Sequence, residues 1–143
     1  MSDFVLDNSV TMRWFMHSNK AHDQAYSISV LQSFSDSSAL VPNLWHLEAV
    51  SALLGSERRG EVTEGQIESY LTKLDKLPIF VDTQTTHNAF GRTLALARAF
   101  NLSSYDASYL ELAIRESLPI ATLDKKLKKA ATQSNVELFL EQR

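Results

Sequence analysis

Four acidic residues are spaced along the chain in positions where their carboxylates could gather and do chemistry. They are Asp7, Glu48, Asp106 and Asp124. Carboxylates that are brought together repel, and two unit charges ~4 Å apart cost about 4 kcal/mol at an effective dielectric constant near 20. Such a cluster raises its own pKa values or recruits cations. Ligation by oxygen alone, without cysteine or histidine, suits Mg²⁺ or Mn²⁺ rather than Zn²⁺.

Two of these acids follow predicted strands. Asp7 comes directly after the apolar run 4–6, and Asp124 comes shortly after the run 119–121. In an open parallel sheet, sites form beyond the carboxyl ends of the strands. A helix N-cap or a turn would explain either residue equally well. Asp82 also follows a strand, and we assign it to such a cap.

The other two acids lie on predicted helices. Glu48 shares its helix face with Leu44 and Trp45, and a carboxylate is seldom fully buried without a partner. A salt bridge at the edge of the core is the alternative explanation. Asp106 begins the buried stripe of its helix, although a capping box opened by Ser103 would also account for it.

The composition of the chain sets limits on its class. The 143 residues suit one domain with its own core, and the 44% hydrophobic and 22% charged residues are ordinary. The absence of cysteine excludes disulfides, thiolate metal sites and a cysteine nucleophile. With no apolar run of roughly 18 residues and no signal-peptide pattern, we expect no membrane segment and a cytoplasmic location. The net charge of −3 argues against binding nucleic acid mainly by counterion release.

Short apolar segments alternate with longer helical patterns along the chain. This predicts the α/β class, as an α/β/α sandwich around a central, mostly parallel sheet of four to five short strands. Without repeats or linkers, residues 1–143 are expected to form a single domain. The predicted strands cover 4–6, 39–41, 79–81 and 119–121, with 136–138 as a candidate fifth. The predicted helices cover 9–15, 23–34, 44–59, 63–77, 82–100, 103–117 and 124–132.

Four segments of the sequence resemble the PIN-domain family and, within it, the VapC toxins of bacterial toxin–antitoxin pairs. They are residues 5–9 (VLDNS), 44–48 (LWHLE), 104–113 (SYDASYLELA) and 120–127 (IATLDKKL). They occur in the family's order and extend over nearly the whole chain. The third and fourth segments are the most specific.

The resemblance implies an endoribonuclease that uses Mg²⁺ or Mn²⁺ to activate water against RNA phosphodiester bonds. It makes the four acids catalytic residues and metal ligands, with the first three on one ion and Asp124 either near that ion or in a second site. Ser9 and Thr122 would be hydroxyl supports that hold the ligands in place. The resemblance also implies inhibition by a partner antitoxin protein and frequent homodimers.

Basic and aromatic residues are candidates for contacts with RNA. Trp14 and Phe15 could stack on bases, but we expect them to take part in apolar packing or a dimer interface. For the basic residues, a solvated surface position is the alternative to a role in positioning the RNA backbone. The basic candidates are Arg13, Arg58, Arg59, Arg92 and Lys125.

Other α/β proteins also need an acid after the first strand. A haloacid-dehalogenase-type phosphatase expects a second aspartate two residues later, where this chain has Ser9. A response-regulator receiver expects an acidic pair near the end of the first strand, and no pair flanks Asp7. A catalytically silent PIN-fold module that interacts with RNA or protein stays open as the alternative to an enzyme.

Overall fold

A parallel sheet of four strands forms the centre of the molecule within residues 2–17 and 19–141, the part of the chain that the computed structural model describes. The strands are β1 (Ser2–Leu6), β2 (Ser37–Val41), β3 (Ile79–Val81) and β4 (Ile120–Ala121). Their order across the sheet is β3-β2-β1-β4, and every pairing is parallel. In the central strand β1, residues 4–6 have no exposed surface. A strand covered on both faces reads as a continuous apolar run, which is why the sequence revealed it.

Helices connect the strands and flank the sheet, so the predicted α/β class and parallel sheet are confirmed. A 3₁₀ turn at Ser33–Ser35 and a π-helical turn at Ala89–Thr93 interrupt the helical segments. The α-helices are α1 (Asn8–Phe15), α2 (Ala21–Gln32), α3 (Trp45–Arg58), α4 (Glu64–Leu74), α5 (Thr85–Asn88), α6 (Leu94–Phe100), α7 (Ser104–Glu116) and α8 (Lys125–Gln133). In the described residues, none of these helices has the length and apolar character needed to cross a membrane.

Local capping interactions set the helix boundaries much as the sequence predicts. Thr63 accepts the backbone N–H of Gln66 at 3.1 Å, and the Gln66 side chain accepts the backbone N–H of Thr63 at 2.8 Å. This reciprocal pair satisfies two donors at the start of α4. The helix α3 ends before Gly60, whose φ of 73° lies in the left-handed region that glycine adopts without strain.

The aromatic residues near the end of α1 pack against the edges of the apolar clusters, so their predicted role in packing is confirmed. The indole of Trp14 donates a hydrogen bond to the carbonyl of Ser27 at 2.7 Å and meets the ring of Phe34 edge-on. Phe15 packs against Tyr70 with ring centroids 4.7 Å apart. Both side chains are partly buried, so packing takes up most of each ring while one part stays accessible in a surface groove.

The candidate fifth strand does not form, so that prediction is wrong. Leu138 makes only an isolated parallel bridge to Ile120. The backbone of Ile120 donates to the carbonyl of Glu137 at 2.9 Å and accepts from Phe139 at 2.8 Å. Since β4 is two residues long, it offers no ladder on which a further strand could extend.

The helix predicted to begin at Asp82 or Thr83 begins later, and Asp82 is not its cap. The helix α5 starts at Thr85 with Gln84 in the N-cap position. The carboxylate of Asp82 instead accepts two hydrogen bonds from the guanidinium of Arg115, at 3.0 and 2.8 Å. Burial alone would raise the pKa of Asp82. The hydrogen bonds and positive charge of Arg115, together with the hydroxyl of Thr85, lower the pKa instead. Sequence position after a strand could not reveal this distant partner.

One guanidinium compensates two buried carboxylates. Arg115 also donates to Glu111 on the same helix, at 2.8 and 3.0 Å. The side chains of Glu111 and Asp82 are only 2% and 6% exposed. Arg115 therefore ties α7 to the loop after β3, and both acids depend on its charge.

We expect that Arg115→Met will destabilise the fold strongly because it leaves two buried carboxylates without a cation. Breaking a buried pair in this way costs about 3–5 kcal/mol. Arg59→Met is the matched control, since Arg59 pairs with Glu61 on the surface and is 62% exposed. Loss of such a pair costs less than about 1 kcal/mol. Urea unfolding measures both, and equal losses would contradict a structural role for the Arg115 cluster.

Candidate active site

The four predicted acids come from four separate segments that meet near the carboxyl edge of the sheet. Asp7 lies between β1 and α1, and Asp124 is the N-cap of α8 after β4. Glu48 and Asp106 lie in the first turns of α3 and α7. The strands β1 and β4 are parallel neighbours, and the backbone N–H of Asp7 donates to the carbonyl of Ala121 at 3.0 Å. That pairing brings the loop before α8 against the end of β1.

Asp7 is the most buried of these acids, with 6% exposure. Its Oδ2 accepts the hydroxyls of Ser9 at 2.6 Å and Thr122 at 2.7 Å. Ser9 Oγ in turn accepts the backbone N–H of Leu123 at 2.9 Å. The two hydroxyls therefore fix the orientation of the Asp7 carboxylate, and Oδ1 is the oxygen left for another ligand.

The pKa of Asp7 is raised despite these hydrogen bonds. Burial raises it most, and the hydrogen bonds from Ser9 and Thr122 lower it. The negative charges of Glu48 and Asp124 then raise it again. An ionised Asp7 is therefore stabilised by its own hydroxyl donors, but none of the ion pairs among the described residues gives it a positive partner.

Glu48 is held by two residues that sequence reasoning left without a role. The buried hydroxyl of Tyr109 donates a hydrogen bond to Glu48 Oε1, and the Asn8 side chain lies near enough to lower the pKa of Glu48. Burial raises the pKa of Glu48, Tyr109 lowers it, the charge of Asp106 raises it and Asn8 lowers it, with a net rise. Neither residue carries a local signal for this role, because Tyr109 lies among the buried residues of α7 and Asn8 simply follows Asp7.

Asp106 and Asp124 interact directly with each other. Burial raises the pKa of Asp106 to about 6, aided by the charges of Asp7 and Asp124 and by a hydrogen bond shared with Asp124. Asp124 Oδ1 also accepts the backbone N–H of Lys126 at 3.0 Å. Ser103 caps α7 by accepting the backbone N–H of Asp106 at 3.1 Å. Capping and membership of the acidic cluster are therefore compatible rather than alternative roles.

The chemistry of the cluster fits a hard divalent cation. All its side-chain donors are carboxylate oxygens, which Mg²⁺ and Mn²⁺ prefer. Asn8 Oδ1 is a further buried oxygen beside Asp7, and it has no hydrogen-bond partner within the described residues. Within those same residues, no three Asp, Glu or His side chains stand close enough to hold one ion without moving. Binding an ion would thus require the carboxylates to draw together, which their mutual repulsion resists until a cation is present.

The basic candidates for RNA contact differ in their distance from the acids. Lys125 is exposed and directly follows Asp124, whereas Arg58 lies ten residues after Glu48, about 15 Å along α3. Arg59 is engaged by Glu61 at 2.8 Å. Of the other candidates, Arg13 is partly buried in the last turn of α1 and Arg92 is exposed in the π-helical turn.

Comparisons with known proteins agree with this architecture. A model of the PIN domain family matches residues 4–133. The crystal structure of PAE2754 from Pyrobaculum aerophilum is similar with a TM-score of 0.65 and 22% identity, over 90% of this chain and 86% of that chain. At that identity, the likeness shows the fold alone. No curated protein matches the chain.

The family match runs from β1 to the end of α8, so it includes all four segments that carry the acids. Their meeting point is the edge of a parallel sheet at which sites form in this class of fold. The chain therefore belongs to the PIN domain family and has its nuclease-type fold.

Proposed function

We propose that the chain is a metal-dependent endoribonuclease that hydrolyses RNA phosphodiester bonds in the cytoplasm, and that it is the VapC-type toxin of a toxin–antitoxin pair. The observation that carries this proposal is the meeting of four acids from separate segments at one edge of the sheet, in a chain of the PIN family. The raised pKa values of three of them support it. Asp7, Glu48 and Asp106 are each raised, and each feels the charge of another acid in the cluster. A fold tolerates such repulsion where it serves function, and perturbed carboxylates in a family of nuclease fold favour cation binding.

In this proposal Asp7, Glu48 and Asp106 hold the divalent cation, Mg²⁺ or Mn²⁺, and Asp124 either joins them or holds a second ion. When bound, the cation would lower the pKa of a water molecule and place positive charge beside the phosphate. Ser9 and Thr122 keep the Asp7 carboxylate in one orientation through their hydrogen bonds to Oδ2.

Lys125 is the basic candidate best placed to meet the RNA backbone, because it is exposed and adjoins Asp124. A chain with a net charge of −3 needs such local positive charge near the acids, together with the bound cation, to offset repulsion of phosphate. Arg58 and Arg59, at the far end of α3, would contribute only along a longer RNA path, and Arg13 and Arg92 stay candidates.

We also propose protein partners, an antitoxin and a second copy of the chain. Support comes from an apolar groove of about 380 Å³ between the loop before α3, the helical segment 85–97 and the start of α7. Phe90 on this groove is 95% exposed, and Tyr105 is 59% exposed. Contiguous apolar surface of this kind marks protein interaction sites.

The test of the activity is Asp106→Asn, which removes one carboxylate charge and keeps the side-chain shape. We expect RNA cleavage in Mg²⁺ or Mn²⁺ to fall at least ~100-fold, because even indirect supports of metal ligands are worth about 10–100-fold. Asp75→Asn is the matched control, since Asp75 is exposed at the end of α4. New RNA 5′ ends are mapped after incubation with each purified chain. Equal cleavage by wild type and Asp106→Asn would refute the nuclease and favour a silent interaction module.

The stability of the chain in EDTA should fall as the pH rises from 5 to 7.5. The pKa of Asp106 is raised to about 6 from 3.8, so the folded state binds this proton more tightly than the unfolded state. The stability that the folded state gains by binding this proton is full below pH 3.8, and it is lost as the pH rises through 6. After allowance for solvent screening of this half-buried group, we expect a loss of about 1 kcal/mol. The lowered pKa of Asp82 acts only in more acidic solution, outside this window.

Urea unfolding at the two pH values measures this effect, with Asp106→Asn as the control that should lose most of it. Added Mg²⁺ should stabilise the wild type more at pH 7.5 than at pH 5, because protons compete for the same oxygens. An EDTA-treated chain that is equally or more stable at pH 7.5 would contradict the clustering of these charges.

A further inference from the structure

Glu48 differs from the other three acids in how its carboxylate is held. It is the only glutamate of the four, so its side chain has one more rotatable bond than the aspartates have. Asp7 is fixed by two hydroxyls, and Asp124 by the backbone N–H of Lys126. Without partners of its own, Glu48 would be the acid with the greatest freedom to turn away.

Tyr109 restricts that freedom from one side. Its side chain has no exposed surface, and its hydroxyl donates to Glu48 Oε1. It lies three residues after Asp106, so both side chains lie on the same face of α7. The helix that presents Asp106 therefore also fixes the position of Glu48.

Asn8 restricts the freedom of the Glu48 side chain from the side of α1. It is 9% exposed, and its Nδ2 donates to the carbonyl of Trp45, the first residue of α3, at 2.9 Å. Its side chain also lies near enough to Glu48 to lower the pKa of that carboxyl group. Because Asn8 adjoins Asp7, it sets the first turn of α3 relative to the end of β1.

We propose that Tyr109 and Asn8 are positioning residues that set the affinity of the site for a divalent cation by fixing Glu48 relative to Asp106 and Asp7. This inference rests on the proposed metal site. The cation affinity depends on how firmly the Glu48 carboxylate is fixed, and residues of α1 and α7 fix it. Neither residue supplies a carboxylate, and neither is assigned contact with the substrate.

Tyr26 provides a matched control for a purely structural role of Tyr109. It is also buried, at 7% exposure, and its hydroxyl donates to the backbone carbonyl of Phe139 at 2.6 Å. Replacing either tyrosine by phenylalanine removes one buried hydroxyl and keeps the ring. The two variants should therefore lose similar stability, and only one of them touches Glu48.

The experiment is calorimetric titration of Mn²⁺ into the wild-type chain, Tyr109→Phe, Tyr26→Phe and Asn8→Ala. We expect the dissociation constant for Mn²⁺ to rise about 10-fold in Tyr109→Phe and in Asn8→Ala, and to stay at the wild-type value in Tyr26→Phe. In a Glu48→Gln background, Tyr109→Phe should cause no further loss, because the carboxylate that it positions is gone. Excess Mn²⁺ should restore RNA cleavage by Tyr109→Phe.

Wild-type affinity in both Tyr109→Phe and Asn8→Ala, or equal weakening in Tyr109→Phe and Tyr26→Phe, would overturn the inference. A wild-type chain that binds no Mn²⁺ would overturn it together with the metal part of the proposed function. If the affinities change as expected and RNA stays intact with every variant, the positioning role stands and the nuclease activity fails.

Discussion

A carboxylate buried at the end of the central strand is costly unless donors surround it, and much of this fold supplies donors to Asp7. The strand β4 aligns beside β1 so that Thr122 reaches the Asp7 carboxylate, and the first turn of α1 brings Ser9 to the same oxygen. Leu123 then anchors Ser9 through its backbone N–H. One charged group therefore connects the pairing of β4 with β1, the first turn of α1 and the loop before α8.

The same edge of the sheet shows two ways of accommodating buried negative charge. Beside β3, Asp82 and Glu111 share the guanidinium of Arg115, so the protein carries its own counterion. Beside β1 and β4, the acids have hydroxyl and backbone donors, and the described ion pairs include none to any of them. The first cluster is complete as a structural tie. We propose that the second takes its cation from solution, because no described cation balances its charge.

The fold could be predicted because it depends on local pattern, whereas the resemblance to the PIN family selected the four acids. Buried parallel strands are apolar runs, and the caps at Thr63 and Ser103 follow from neighbouring residues. What the sequence concealed depends on contacts between distant residues. The ion pair between Asp82 and Arg115 spans 33 positions, and the hydrogen bond between Tyr109 and Glu48 spans 61. A buried tyrosine on an apolar stripe carries no local sign that its hydroxyl has a partner on another helix.

The role of each acid was also beyond the sequence, because a cap and a ligand use the same residue types. Asp82 was assigned to a cap and proves to be an ion-pair partner, whereas Asp124 is a cap that also contacts the acidic cluster. Position after a strand selected both residues without distinguishing them. Only the surrounding charges separate a compensated carboxylate from one that still needs a cation.

The most direct measurement is anomalous diffraction from crystals of the chain grown in Mn²⁺ near neutral pH. A manganese peak within coordination distance of Asp7, Glu48 and Asp106 is the predicted result, and it would also show whether Asp124 binds the same ion or a second one. A well-ordered site with no manganese peak among these carboxylates, or with the ion bound only elsewhere, would contradict the central claim that the four acids form a cation site.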